Sequence, residues 1–483
     1  MAKSLRRNYI YNASYNLLII FTPFITTPYL SRVLKADGVG TASFILSVAQ
    51  NFLLFAGMGI YGYGKREISY NQDDITRRSW IFWNLKTLAL INAVLSMAAF
   101  LVMTFTYVKD NRHLYLIAAM NIINVFLEVG WLYEGLEEFR EMVLKNLIVR
   151  ISNVIFIITF VRHRSDLHLY MGSQVFFGMA GNFAMWLMLP KYINRPKLRR
   201  LRPYHDFGTI WLLFLPSIAA EVYTVLDKIM IGLFTGIAAE NGYYEFSIRI
   251  SRIVLAIIVS QSGVMIPRIG HLFAQNDMEK IKEYTYQSYR FVWFLGVPVC
   301  LGLIGIADNF VPWFFGPGYM KVAGLMKITS FLVLAISLGS ITGGQYLVPT
   351  RRHNLYTLTI VIGAAVNFCL NITFIPKFQS YGAAVASVVA EASIAASQLY
   401  ILRKELDYRK ILSLGVKNCI AGVIMLAAVL FIGRNMTPSV ANTFTIIPAG
   451  AAIYFTLLLI LRDKFFIENS RRTLTAIAKR LHR

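Results

Sequence analysis

Apolar runs of membrane-crossing length recur along this chain, and no other feature restricts its fold so tightly. A helical span needs about 20 apolar residues. Fourteen runs of about that length lie between polar punctuation: 8–31, 42–63, 81–107, 113–136, 142–161, 168–190, 208–233, 242–267, 287–307, 322–348, 355–375, 382–402, 411–432 and 442–461. They are continuous rather than alternating, which excludes a membrane β-barrel. Composition agrees: 56% of residues are hydrophobic and 15% charged, where a soluble domain carries about 25% charged residues. Too little polar surface exists to coat a water-soluble globule. The expected fold class is all-α, a polytopic membrane protein.

A net charge of +23 would suit a nucleic-acid partner, because Lys and Arg neutralise phosphates. Its distribution instead follows membrane topology. With the N-terminus placed inside, 32 of the 48 basic residues fall in cytoplasmic segments and 9 in the opposite loops. That bias predicts both termini in the cytoplasm and no nucleic-acid partner. The three cysteines, Cys300, Cys369 and Cys419, lie far apart in apolar segments and suggest neither a disulfide framework nor a metal site.

The longest basic linker, KYINRPKLRRLRPYHDF at 191–207, divides the chain near its middle. Six spans precede it, six follow it, and two close the chain. The expected organisation is therefore an N-terminal lobe over 1–200, a C-terminal lobe over 201–405, and a final pair of spans with a tail over 406–483. Repeated halves are how many transporters are built. In the tail, Leu474, Ile477, Ala478 and Leu481 recur at helical spacing between basic residues, as in an amphipathic helix on the inner membrane surface. A frayed polar tail is the alternative.

The stretch EVYTVLDKIMIGLF (221–234) sets three ionisable residues, Glu221, Asp227 and Lys228, inside an apolar run. Such residues recur: the spans also hold Lys86, Arg150, Arg249, Arg252, Lys327 and Lys417, and the acids Glu128, Glu245 and Glu391. A charge at the bilayer centre costs about 3 kcal/mol even on a lenient scale, so it usually faces a hydrated cavity or a partner. Lys86, Arg150 and Lys417 lie near expected cytoplasmic ends, where they can snorkel. Glu245, Arg249 and Arg252 share one helical face. Glu245 and Arg249 can pair along it, which leaves Arg252 to an anionic ligand or to an acid from another helix. Asn121, Asn124 and Glu128 form a polar stripe, and Asn367 and Asn371, with Glu391 and Gln398, form another. Polar stripes suit a shared wet cavity, and they suit helix–helix hydrogen bonding equally well.

Enzyme motifs are scarce. GMGIYG at 57–62 spells a dinucleotide fingerprint, but it ends a membrane span and opens no βαβ unit. The histidines are scattered without metal-ligand spacing. No cofactor and no catalytic residue is expected.

Four stretches in order resemble the bacterial polysaccharide repeat-unit flippases, the Wzx-type O-antigen and capsule transporters of the multidrug/oligosaccharidyl-lipid/polysaccharide exporter superfamily. They are TTPYLSRVLKADGVGTASFILSVAQNFLLFAGMGIYGYGKREIS (26–69), WLYEGLEEF (131–139), LDKIMIGLF followed by GYYEFSIRI, and NFCLNITFIPKFQSYGAAVASVVAE (367–391). The lipid II flippase is a close cousin. The resemblance implies two six-helix lobes around a central cavity, with alternating access. Its implied cargo is an oligosaccharide linked by pyrophosphate to undecaprenol, in a bacterial cytoplasmic (inner) membrane. On this chain Arg249 and Arg252 match the expected cavity cations, with Lys228, Arg32 and Arg150 as weaker candidates. Asn121, Asn124, Asn367 and Asn371 would line the cavity. Glu128, Glu221, Asp227, Glu245 and Glu391 would pair the cations or carry a coupling proton or sodium ion. The two closing spans would form a groove for the lipid tail. Membrane lipids and polysaccharide polymerase machinery are the implied partners, and paired lobes make a monomer sufficient. A multidrug or organic-cation antiporter of the same superfamily and a membrane polymerase or ligase are the competing readings.

Overall fold

Helix follows helix through the computed structural model, which describes residues 22–196 and 201–470; within these the side chains of 139, 213, 215–217 and 219–224 are not described. Among the described residues there is no strand, as the apolar runs predict. Two compact units divide at Gly242 and Tyr243. The first holds α1 (22–33), α2 (Lys35–Gly57), α3 (Ile60–Tyr70), α4 (Ile75–Tyr107), α5 (Arg112–Leu127), α6 (Gly130–Gly135), α7 (Phe139–Phe160), α8 (Leu167–Leu187) and α9 (Phe207–Thr235). It also takes in the start of α10 (Ala238–Val259). The second holds the rest of α10, then α11 (Ser262–Ala274), α12 (Met278–Phe315), α13 (Met320–Ser340), α14 (His353–Phe378), α15 (Ser380–Ile401), α16 (Tyr408–Arg434) and α17 (Val440–Ile460).

Ten stretches of the described residues are long and apolar enough to cross a membrane, with α2 and α3, α5 and α6, and α13 and the turn after it (Met320–Leu347) each counting as one, and an eleventh joins them if α10 and α11, bent by 41°, form one span. The fourteen expected spans are therefore not all matched. Run 8–31 lies largely outside the described residues, and runs 168–190 and 208–233 correspond to α8 and α9, which are not among the eleven. The expected amphipathic segment around 474–481 also lies outside the described residues.

Local chemistry sets the helix starts. The Asp74 carboxylate accepts from the Thr76 and Arg77 amides, each at 2.9 Å, and opens α4. Asp407 does the same for Arg409 and Lys410 at α16, and Ser439 for Asn442 at α17. Each cap satisfies amides that the first turn leaves without partners. Outward-facing apolar side chains follow. Val94, Leu95, Val102 and Phe105 on α4 are all more than half exposed, a surface that suits lipid and not water.

Inside the first unit the tightest approach is between α2 and α10. A Cβ on Gly40 would lie 1.8 Å from the Ala238 carbonyl oxygen, and one on Gly242 would lie 2.0 Å from that of Ala36. Small residues let membrane helices meet backbone to backbone. In the second unit, α13 runs into a π-helix, Ile341–Leu347, and the two together make one span over the expected run 322–348. Its Thr342 hydroxyl donates to Gln398 on α15 at 2.7 Å, and Gln345 donates to Ser262 on α11 at 2.9 Å. Side-chain bonds to two other helices thus hold the wider turn.

Candidate functional site

Two helix breaks build a polar cavity in the first unit. The first ends α2: Met58 and Gly59 take positive φ of 35° and 69°, and α3 starts at Ile60. Gly59 sits against the Ile210 carbonyl and Phe214, where a Cβ would meet both at 3.2 Å. All six residues of GMGIYG line the resulting cavity of about 470 Å³. The stretch that spells a nucleotide fingerprint is thus a helix break.

The second break follows α5. That helix ends at Leu127, Glu128 turns to an extended conformation with ψ of 116°, and α6 restarts at Gly130. The break falls inside the expected run 113–136, which still counts as one span, Arg112–Gly135. The interruption leaves helix carbonyls to find other donors. Lys86 on α4 donates through Nζ to the Phe126 carbonyl at 2.7 Å and also to that of Glu128. Trp186 on α8 donates through Nε1 to the Leu127 carbonyl at 2.8 Å. The rings of Phe82, Phe126, Trp131 and Trp186 stand between 5.7 and 6.0 Å from the Lys86 ammonium.

Lys86 is 2% exposed. The expectation that it snorkels to the interface is therefore wrong. Its position on α4 aims it at the broken helix, where carbonyls and ring faces replace water as ligands of the ammonium.

The expected stripe of Asn121, Asn124 and Glu128 does line this cavity, joined by Gln50 and Lys86. Asn182 on α8 binds it together. Its Nδ2 donates to Asn124 Oδ1 at 2.9 Å and to Glu128 Oε2 at 3.3 Å, while its Oδ1 accepts from Lys145 Nζ at 3.1 Å. Glu128 Oε1 accepts from the Gly130 amide at 2.6 Å. Sequence reasoning placed Lys86 at the interface and passed over Lys145 and Asn182. The nearest signal was a lysine that follows Trp80 and Trp83 in a run that also carries asparagines.

Other first-unit candidates lie elsewhere, and none of Arg32, Arg150, Asp227 or Lys228 is in the cavity lining. Arg32 is exposed and donates to the Pro28 carbonyl of its own helix at 2.8 Å. Arg150 donates to the Thr22 hydroxyl at 3.3 Å. Asp227 is buried in α9 beside half-buried Lys228. The side chain of Glu221 lies outside the described residues.

In the second unit, Arg249 Nε donates to Glu245 Oε1 at 2.7 Å, the expected pairing along α10. Arg252 is exposed on the same helix. Two residues later, Val254 enters the wall of an apolar groove of about 320 Å³ shared with α12, α16 and α17, among them Phe294, Met425 and Tyr454. Asn367 and Asn371 are fully buried, and Asn371 donates to Asn367 at 3.0 Å. No accessible surface remains on either, so they are packing groups here and not the cavity lining expected of them. Glu391 is half-buried on α15.

Between α15 and α16, outside the spans, Glu405 accepts from Arg352 Nη1 at 2.5 Å and from the Tyr346 hydroxyl at 2.7 Å. Burial alone would push its carboxyl up. The bonds from Arg352 and Tyr346 outweigh that and hold it below the usual carboxylate range.

Residues 5–273 match the family described as Polysaccharide biosynthesis protein. A protein of Escherichia coli (strain K12) named "Putative O-antigen transporter" is 21% identical over 404 residues, 83% of this chain and 97% of that protein. The solved structure of "Lipid II flippase MurJ, inward closed conformation" matches with a TM-score of 0.72 at 14% identity, over 95% of this chain and 99% of that one. An inward-facing multidrug resistance MATE family transporter of the MOP superfamily gives a TM-score of 0.62 at 12% identity, over 84% of this chain and 98% of that one. Identities this low speak for a shared fold alone.

Proposed function

The chain belongs to the polysaccharide biosynthesis protein family, and from that premise we propose that it flips undecaprenyl-pyrophosphate-linked oligosaccharide repeat units from the inner to the outer leaflet of the cytoplasmic membrane by alternating access. One observation carries the reading: α10 presents the Glu245–Arg249 pair and exposed Arg252, and two residues on contributes Val254 to an apolar groove. A cargo with a pyrophosphate and a long hydrocarbon tail needs both surfaces close together. Arginine suits phosphate because its planar fork donates two parallel hydrogen bonds. A groove walled by aliphatic and aromatic groups offers the tail the same contacts as lipid. Glu245 neutralises Arg249 while no phosphate is present, which lowers the cost of a cation within the membrane.

The location of lipid-linked glycan in cells lacking the protein tests this. Repeat units trapped on the cytoplasmic leaflet support the flippase. Single units accumulating on the outer leaflet would mean that export proceeds without it, as expected of a polymerase. No accumulation on either leaflet would leave an antiporter of small organic cations.

A further inference from the structure

A larger polar cavity, of about 880 Å³, opens in the second unit between the start of α12 and the segment that joins α15 to α16. The basic-residue bias assigns this end of the helices to the cytoplasm. The four acids of its wall are engaged within the protein. Glu279 accepts from Lys282 at 3.1 Å, and Glu283 from Gln287 at 3.1 Å. Glu405 holds Arg352 and Tyr346, and Asp407 caps the amides of Arg409 and Lys410. Five cations of the wall, Arg290, Arg403, Lys404, Arg409 and Lys410, have no carboxylate within ion-pair distance among the described residues. Three of them lie against tyrosine rings: Arg403 on Tyr400, Arg409 on Tyr408 and Lys410 on Tyr286. Lys404 is exposed. Arg290 differs from all of these. It is half-buried on α12, and among the described residues its guanidinium donates no hydrogen bond. A cation drawn partly out of water needs an acceptor, and the cavity is where one fits.

The surface that continues from the cavity narrows the ligand. Tyr408 stands in the wall, and Leu412, Val416, Ile420 and Val423 follow it along α16 at helical spacing. Each of the four is about half exposed, an apolar stripe that suits lipid chains. It turns away from the apolar groove of this unit, whose α16 members, Met425 and Val429, are buried. Interfacial tyrosines mark headgroup depth, and basic pockets between helices on the cytoplasmic side suit anionic headgroups. We propose that this cavity binds the headgroup of an anionic phospholipid, at a site apart from the cargo path. Arg290 is the inner ligand of its phosphate, Lys404 and Lys410 stand at the rim, and the acyl chains run along the α16 stripe. A free phosphate and the cargo's own phosphate share this chemistry. The stripe favours a lipid over the first, and its turn away from the groove favours a phospholipid over the second. Bound there, the lipid ties α12 to the start of α16.

The full chain in phosphatidylcholine nanodiscs with a rising fraction of phosphatidylglycerol should melt progressively higher. Inorganic phosphate added to pure phosphatidylcholine discs should leave the midpoint unchanged. Arg290→Gln and Lys404→Gln should each need about fivefold more phosphatidylglycerol for the same rise, the loss expected of one basic residue at an anionic membrane surface. Lys404 is exposed and makes no side-chain hydrogen bond among the described residues, so its variant folds as the unaltered chain does. Arg434→Gln, at the far end of α16, should titrate like the unaltered chain. No rise with phosphatidylglycerol, or an unshifted titration in both cavity variants, would overturn the site. An equal rise with inorganic phosphate would assign the cavity to a free anion. A larger rise with undecaprenyl phosphate than with phosphatidylglycerol would assign it to the cargo lipid, and either result overturns the phospholipid proposal. No glycan enters the titration, so its outcome is independent of the transport reading.

Discussion

Asn182 on α8 donates to Asn124 on α5 at 2.9 Å while its own oxygen accepts from Lys145 on α7 at 3.1 Å, so one amide joins three helices beside the cavity. Asn182 is 3% exposed. Replacing it with leucine leaves a half-buried ammonium and a half-buried amide each short of a partner. Cross-helix bonds in membranes average about 0.6 kcal/mol with a maximum near 1.7, and a charged partner places this one at the upper end. Asn182→Leu should therefore lose about 1.5 kcal/mol, read as a lower thermal midpoint in nanodiscs. An unchanged midpoint would show that the amide only fills space.

The α2–α10 crossing makes a steeper prediction. At Gly40 and Gly242 an added methyl would meet backbone, which cannot rotate aside as a side chain can. Gly40→Ala and Gly242→Ala should each cost about 3 kcal/mol, the upper part of the usual overpacking range, with protein in the membrane falling accordingly. Gly172→Ala is the control, because nothing lies within 4 Å of the added atom. Immunoblots of membrane fractions decide it. Equal abundance for all three variants would refute the close approach.

Much of the fold was legible because lipid imposes a simple rule: a span must be long, apolar and helical. The runs giving α4, α7, α12 and α14 to α17 needed only that rule. The breaks did not follow from it. Glu128 reads as one member of a helical stripe, yet in the structure Glu128 and Val129 themselves interrupt the helix before it restarts at Gly130. Lys86 sits close enough to a span's end to suggest snorkelling, and its inward direction is set by packing against Trp131 and Trp186 from elsewhere in the chain. The i,i+4 pair of Glu245 and Arg249 was legible because it is local. Asn367 and Asn371 share a face as expected, yet the sequence does not distinguish a wet face from a packed one.

Glu405 supplies a prediction for acid. Its folded-state carboxyl lies below its ordinary value. A depressed carboxylate stabilises the folded state above the unfolded-state value, about 4.3, and that contribution disappears as pH falls through the folded value. Glu405→Gln lacks the charge at every pH. The unaltered chain should melt higher than this variant near neutrality, and the gap should close as pH drops below about 4.3. Melting curves of both proteins over a pH series settle it. A gap that persists undiminished in acid would assign the effect to packing and not to the Arg352 and Tyr346 bonds.

Arginine at 249 and 252 should matter for export and not for folding. Arg249→Ala leaves Glu245 without its 2.7 Å partner, while Arg252→Ala removes an exposed cation without disturbing that pair. If each guanidinium grips a phosphate, losing one removes a charge-assisted interaction of about 1.5–3 kcal/mol, or roughly a tenfold to hundredfold drop in export. Lysine keeps the charge but not the bidentate fork, so Arg252→Lys should recover part of the loss. Glu245→Gln should harm export less than Arg249→Ala, since it frees the arginine for the cargo. Surface glycan on gels, normalised to the amount of transporter in the membrane, measures all four variants. Normal glycan in both alanine variants would remove α10 from the substrate path, because a pyrophosphate held elsewhere would not register the loss of either cation.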